Sequence, residues 1–223
     1  APALAWIRLG IRRNPAEHFR SEWLHVRILE SKLASVNDPT RLTRQSIAGL
    51  QFGDATVPPL PTSRPVGNDG RPVSTYALNH AFAYQLGERM QFVAPRDPVV
   101  ANLLSDWAAL NMAGGPMENV VALNALARRY GADTKVMARR EAEANRVLKA
   151  ARGNQRLGGR CFICEPSDPE TRRPHWKVPA VGKRCGHPAS SSLPSRSAQA
   201  YEQDVPCRFP LDRVAAGRLL QQA

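Results

Sequence analysis

Apolar side chains recur at steps of three and four residues along much of the chain before residue 152. This step places them on one face of an α-helix, so the pattern predicts a mainly helical fold. A first helix is predicted from the N-cap and first-turn pair Asn14-Pro15 to a stop at residues 37–39. Its predicted core face carries five apolar side chains: Phe19, Trp23, Val26, Leu29 and Leu33.

The same periodicity predicts five more helices along the chain. They span residues 43–50, 77–90, 99–112, 117–129 and 134–152, with glycine or proline near their ends. Residues 54–74 form a connector rich in proline and glycine, with the turn signal Asn68-Asp69-Gly70. Because Val66 and Val73 flank that turn, a small β-hairpin is predicted there.

The chain is strongly basic, with 31 lysines and arginines against 19 acidic residues and a net charge of +12. Residues 128–160 alone hold ten basic and three acidic side chains, a net charge of +7. Such clustering is the footprint expected of a polyanion partner, because cations displace counterions from a nucleic-acid backbone. The sequence therefore predicts a nucleic-acid partner, with DNA favoured over RNA.

A helix-turn-helix motif is predicted where this charge begins. Ala127 allows a second helix to approach closely, and Gly131 suits the left-handed backbone of the turn. Asp133 and Thr134 are both suitable N-caps for the second helix. The predicted packed side consists of Leu123, Leu126, Val136 and Met137.

The exposed side of this motif is rich in arginine, which binds phosphates and guanine edges with two parallel hydrogen bonds. A plain helical hairpin with a solvated basic face is the alternative for the same spacing. Arg139 and Arg140 are the favoured base or phosphate contacts. The full set of predicted nucleic-acid-binding residues is Arg128, Arg129, Lys135, Arg139, Arg140 and Arg146.

Two stretches resemble DNA-binding regulators. LARRYG at residues 126–131 resembles the helix-turn-helix of bacterial and phage regulators, although Ala132-Asp133 follow where those proteins often have Val-Ser. DGRPVSTYALNHAFAYQLGERM at residues 69–90 is similar to phage antirepressor-type regulators, in which a short hairpin leads into a helix. The resemblance implies a regulatory protein and assigns no catalytic residue.

All four cysteines lie in the last third of the chain. Two intervening residues allow Cys161 and Cys164 to face one metal ion, and zinc would supply folding free energy to a segment poor in large aliphatic side chains. Free thiols, or two disulfides, are the alternatives. The predicted zinc ligands are Cys161, Cys164, Cys185 and His187, with His175 or Cys207 as substitutes.

The predicted fold class is therefore mainly α with a small β-hairpin, in which a helix-turn-helix unit precedes a loop-rich, zinc-stabilised C-terminal region. Four segments are predicted along the chain. They are an N-terminal helical segment (1–53), the connector (54–74), a helical domain (75–157), and a Cys/His region with a C-terminal tail (158–223).

The sequence contains no recognisable catalytic motif. G-x-S-x-G, G-x-x-x-x-G-K-[ST] and G-x-G-x-x-G are all missing. His18, Glu22 and His25 share a predicted helix face, but their spacing is not that of a zinc protease, and a solvated polar stripe is predicted. The missing motifs predict a protein that is not an enzyme. No apolar run approaches the roughly 20 residues of a membrane-spanning helix, so the protein is also predicted to be soluble and cytoplasmic.

These observations predict a DNA-binding regulator that uses a basic helix-turn-helix. The alternative is a non-enzymatic assembly subunit of a larger nucleoprotein complex, such as an RNA-guided effector or a ribosome-like particle. Such a subunit would bind the RNA or DNA backbone by shape and would also have protein partners. The proline-rich connector and the irregular C-terminal region favour this alternative.

Overall fold

The structure, a computed structural model, describes residues 2–151 and 161–166. Within these ranges the chain forms α-helices joined by loops, together with one isolated β-bridge. The prediction of a mainly α fold is confirmed. The helices are α1 (Pro2–Arg13), α2 (Glu17–Arg20), α3 (Glu22–Ser35), α4 (Arg41–Arg44), α5 (Thr75–Met90), α6 (Pro98–Gly114), α7 (Met117–Tyr130) and α8 (Lys135–Ala151).

α6 is the central helix and packs against α4, α5, α7 and α8. Its buried side chains point in every direction, as for Leu103, Leu104 and Trp107, and a helix that is apolar all round is stable inside a core. α1 instead lies on α3 and contributes no buried residue. Neither α6 nor any other helix among the described residues has the length and hydropathy that crossing a bilayer requires.

Local capping explains why α5 to α8 begin and end close to the predicted positions. At the start of α5, Ser74 Oγ accepts a hydrogen bond from Ala77 N at 3.1 Å. At the start of α6, Asp97 Oδ1 accepts from Val100 N at 2.8 Å. Gly131 ends α7 with a left-handed φ of +106°. These interactions join residues that are close in sequence, so residue type alone indicates them.

The course predicted for the N-terminal helix is wrong. Residues 18–20 of the short α2 are left-handed, with φ between 48° and 61°, and this left-handed turn interrupts the helical periodicity before α3. The face that α3 presents to the core therefore differs from the predicted one. Of the predicted face, Phe19 and Leu33 are exposed and Trp23 is buried, and α3 also buries Leu24 and Ile28, which were not predicted.

The connector forms the predicted turn with less strand pairing than a hairpin has. Gly67 N donates to Arg71 O at 2.8 Å, and Gly70 adopts a left-handed φ of +77°. Val66 and Pro72 form an isolated antiparallel bridge. Because proline has no N–H to donate, Pro72 limits how far the pairing extends.

The helix predicted at residues 43–50 is wrong, since α4 ends at Arg44 and a loop follows. Asn102 on α6 holds this loop in place. Its Oδ1 accepts from Ile47 N at 3.0 Å, and its Nδ2 donates to Leu42 O at 2.7 Å. Side-chain hydrogen bonds from a distant helix thus satisfy backbone groups that would otherwise bond within a helix.

Residues 161–166 fold back onto the helical core. Ile163 is fully buried, and Phe162 N donates to Gly114 O at 2.8 Å. A Cβ on Gly115 would lie 2.8 Å from Ile163 Cδ1, so the glycine after α6 makes room for this side chain. The rest of the predicted Cys/His region and C-terminal tail lies outside the described residues.

Candidate nucleic-acid interface

α7 and α8 meet in a tight turn of the kind that a helix-turn-helix requires. Ala132 N donates to Ala127 O at 2.9 Å across the left-handed Gly131. Thr134 Oγ1 accepts from Met137 N at 3.1 Å, so Thr134 is the N-cap of α8. The four predicted packing side chains are buried or partly buried: Leu123, Leu126, Val136 and Met137.

Arg128 joins the two helices of this unit. Its two terminal nitrogens donate to the carboxylate of Glu141 at 2.6 and 2.9 Å, which forms a bidentate pair between α7 and α8. These hydrogen bonds to Glu141 raise the Arg128 pKa. The positive charge of this predicted contact is therefore already paired within the protein.

Arg140 is buried, so the prediction that it lies on the exposed face of α8 is wrong. The residue is 8% exposed, and burial lowers its pKa. Its Nη2 donates to Gly53 O at 2.8 Å, and its Nε donates to Ala55 O at 3.1 Å. Arg140 therefore attaches the start of the connector to α8.

The other predicted contacts lie at the surface. Arg139 Nη2 donates to Asp54 O at 2.8 Å, and Arg146 pairs with Glu143 at 2.6 Å. Exposed contacts of this kind contribute little to stability and exchange readily with other partners. Four of the six predicted residues are exposed: Arg129, Lys135, Arg139 and Arg146.

Exposed residues recur at the helical period along one face of α8, from its first residue to its last turn. We call this face the α8 stripe; it carries four cations and no carboxylate. Lys149 was not among the predicted contacts, although it contributes to the net charge of residues 128–160 that predicted the interface. The α8 stripe consists of Lys135, Ala138, Arg139, Ala142, Asn145, Arg146 and Lys149.

Two of the predicted zinc ligands, Cys161 and Cys164, are joined to each other by a disulfide. Zinc requires deprotonated thiols, so this pair would bind it only after reduction. Cys185 and His187, like the substitutes His175 and Cys207, lie outside the described residues. In residues 2–151 and 161–166, no three His, Cys, Asp or Glu side chains are arranged to hold a metal ion. The zinc site stays a prediction.

A second group of polar side chains surrounds a cavity of about 290 Å3. His18 Nδ1 and His25 Nδ1 both contact the carboxylate of Glu22, whose residue is buried. The prediction of a solvated polar stripe is therefore wrong for Glu22. Their spacing of four and three residues was the one signal in the sequence for this cluster.

Comparison of the chain with protein-family models, with curated proteins and with solved structures gives no match. The resemblance to helix-turn-helix regulators and to phage antirepressor-type proteins therefore stays a prediction. The function is inferred from the geometry and charge of the chain's own residues.

Proposed function

We propose that this chain is a non-enzymatic, cytoplasmic nucleic-acid-binding protein, and that it acts as a DNA-binding regulator whose α8 stripe lies against the duplex. The observation that carries the proposal is the α8 stripe itself, in which four cations occupy one exposed helix face without a carboxylate among them. The major groove of DNA is wide enough for an α-helix. α7 packs beside α8, as the first helix of a helix-turn-helix does.

Each part of the unit has a role in this proposal. Lys135 and Arg139 lie in the first two turns of α8, and the N-terminal part of a recognition helix is the part that approaches the bases. Asn145 and Arg146 follow on the same face and carry amide and guanidinium donors for bases or phosphates. Arg128 acts indirectly, because its pair with Glu141 fixes α8 relative to α7.

Replacing Lys135, Arg139 and Lys149 together with Ala is expected to remove most duplex binding. All three side chains are exposed, so the fold should be retained. If each neutralises one phosphate, the slope of log affinity against log salt should become shallower by about 3. Fluorescence anisotropy with a labelled duplex at several salt concentrations measures both quantities.

The matched control replaces Arg12, Arg13 and Lys32, which are also exposed and carry the same total charge. This variant loses the same net charge without touching the α8 stripe, so its duplex affinity should fall much less. Equal losses of duplex affinity in the two triple variants would mean that binding depends only on the overall charge of the chain. That result would reject the α8 stripe as the interface.

A second candidate function is the assembly subunit of a nucleoprotein complex. It is favoured by the internal pairing of Arg128 and Arg140, which leaves fewer guanidinium groups to read bases. The remaining cations suit contact with phosphates, which holds a protein on RNA or DNA without selecting a sequence. In that role the chain would also have protein partners.

Sequencing the nucleic acid that co-purifies with the chain separates these two functions. A regulator is expected to enrich one duplex DNA sequence over its competitors. An assembly subunit is expected to enrich one RNA species, or nucleic acid of no common sequence together with partner proteins. Recovery of the chain free of nucleic acid at low salt would contradict both functions.

We also propose that the reduced chain binds one zinc ion through Cys161, Cys164, Cys185 and His187. After reduction with a phosphine and removal of excess metal, analysis should find one zinc per chain, because four such ligands complete a tetrahedral site. Cys164→Ser should lose the metal, and retention of the metal by Cys207→Ser would exclude Cys207 as the substitute ligand. Zinc-free protein after this treatment would reject the site.

A further inference from the structure

The cavity of about 290 Å3 lies between the left-handed turn, the start of α3 and the C-terminal half of α5. It takes polar and aromatic side chains from both sides. Phe92, which is 83% exposed, belongs to its lining. The other side chains that matter here are His18, Glu22, His25, Tyr84, Glu88 and Arg89.

Arg89 is the side chain of this cavity that lacks a partner. The residue is partly buried, yet its guanidinium makes no ion pair or hydrogen bond with any described residue. Its Nε is enclosed by protein atoms. Burial lowers its pKa, and Asp97 opposes that shift from beyond ion-pair distance. A partly buried guanidinium without a partner in the described chain is an unfavourable arrangement that a bound acceptor would relieve.

Two other arginines differ from Arg89 because their guanidinium groups donate hydrogen bonds within the chain. Arg140 donates to the backbone carbonyls of Gly53 and Ala55, and Arg128 donates twice to the carboxylate of Glu141. Arg89 faces a cavity instead of such a partner. An anion that entered the cavity would supply an acceptor to the two terminal nitrogens of the guanidinium, which are not enclosed as Nε is, since guanidinium binds carboxylate and phosphate through two donors.

The carboxylates that line the cavity do not serve as the acceptor for Arg89. Glu22 is held by His18 and His25, and hydrogen bonding from His25 is the largest influence that lowers its pKa, against the effect of burial. Glu88 is exposed to solvent. Neither carboxylate forms an ion pair with Arg89.

The left-handed turn that carries His18 has an unfavourable backbone conformation. Residues 18–20 are all left-handed, a conformation that disfavours L-residues by about 1–2 kcal/mol each. Buried hydrogen bonds hold the turn: Ser21 Oγ donates to His18 O at 2.6 Å and accepts from Gln85 Nε2 at 2.9 Å. The turn stacks the His18 ring on Tyr84, with 5.5 Å between ring centroids. Strain maintained in this way is common at binding sites.

We propose that this cavity binds a small organic anion with a flat body. Its carboxylate or phosphate group would accept hydrogen bonds from Arg89, and its body would pack against Tyr84 and the exposed ring of Phe92. The proposal does not depend on nucleic-acid binding, because none of these residues belongs to the α8 stripe.

Ligand-detected NMR titration of the full chain with benzoate and with phenyl phosphate tests the site. Benzamide serves as the neutral counterpart of benzoate, and inorganic phosphate tests whether the flat body is needed. We expect at least one of the two aromatic anions to bind about tenfold more tightly than benzamide and than inorganic phosphate. The stronger of the two identifies the preferred acidic group. No saturable binding of either aromatic anion up to about 10 mM would overturn the proposal.

Arg89→Gln should lower the affinity for the bound anion about tenfold, whereas Arg12→Gln, which removes an exposed arginine from α1, should leave it unchanged. Unchanged affinity in Arg89→Gln, or benzamide binding as tightly as the stronger of the two aromatic anions, would reject the assignment. If Arg89→Gln does not fold, Phe92→Ala provides the test, because that exposed ring is not part of the core. It should weaken aromatic anions severalfold, and an unchanged affinity would reject the site.

Discussion

Asp106→Asn is expected to raise the free energy of unfolding by about 4 kcal/mol at about pH 8, and by less than about 1 kcal/mol at about pH 4. Asp106 lies on α6 and is partly exposed as a residue, while its carboxyl is surrounded by protein. Burial raises the pKa of this carboxyl from 3.8 to about 7, although the Ser46 hydroxyl donates to it at 2.5 Å. A rise of this size corresponds to about 4 kcal/mol.

The sign follows from proton binding. Between pH 3.8 and about 7 the unfolded chain has lost this proton while the folded chain retains it, so the stability contributed by the protonated carboxyl falls as the pH rises through that window. Asn resembles the protonated acid and has no proton to lose, so the variant should not show this decline.

Chemical denaturation from about pH 4 to about pH 8 measures the effect. Asp133→Asn is the matched control, because Asp133 is exposed in the loop before α8. The control should follow the pH dependence of the original chain. Parallel stability curves for Asp106→Asn and the original chain would show that the carboxyl is solvated in the folded state and would contradict the prediction.

Arg140→Ala is expected to lower the free energy of unfolding by about 3 kcal/mol, the scale of hydrogen bonds that involve a buried charged group. The substitution removes the donors to Gly53 O and Ala55 O and leaves a space beneath the connector. Arg140→Lys should recover only part of this loss, because the ammonium keeps the charge and can donate but lacks the planar arrangement of guanidinium donors. Thermal and denaturant unfolding measure both variants.

Arg139→Ala is the natural comparison, because this exposed arginine is adjacent in sequence and donates to Asp54 O. It should change stability by less than about 1 kcal/mol, as a surface contact does. It should nevertheless weaken nucleic-acid binding, since Arg139 belongs to the α8 stripe. Equal destabilisation by Arg139→Ala and Arg140→Ala would contradict the assignment of Arg140 to stability and of Arg139 to nucleic-acid binding.

Much of the candidate interface could be predicted from sequence, because short-range interactions form it. Ala127, Gly131 and Thr134 act within a few residues of the turn, and the buried side chains of α7 and α8 follow the helical period. The concentration of positive charge in residues 128–160 was equally visible. These features depend on residue type and spacing.

The hydrogen-bond partners that the arginines find within the protein could not be predicted in this way. Arg139 and Arg140 are neighbours of the same type, and the helical period places Arg140 on the side of α8 that carries the buried Met137 and Ala144. What separates them is the connector, which approaches from residues 53–55 and covers one side of α8. The carbonyls that accept from Arg140 belong to a segment distant in sequence, so the local pattern of α8 does not indicate them.

The sequence by itself determined the helical class, the ends of α5 to α8 and the basic character of α8, because capping, periodicity and charge act between near neighbours. Only the tertiary structure decided the left-handed turn at residues 18–20 and the unpaired state of Arg89. That turn depends on Gln85, which donates to Ser21, and on Asn68, whose Oδ1 accepts from Trp23 N at 2.8 Å. Such contacts exist only after distant segments have packed together, which is why local spacing did not indicate the cavity.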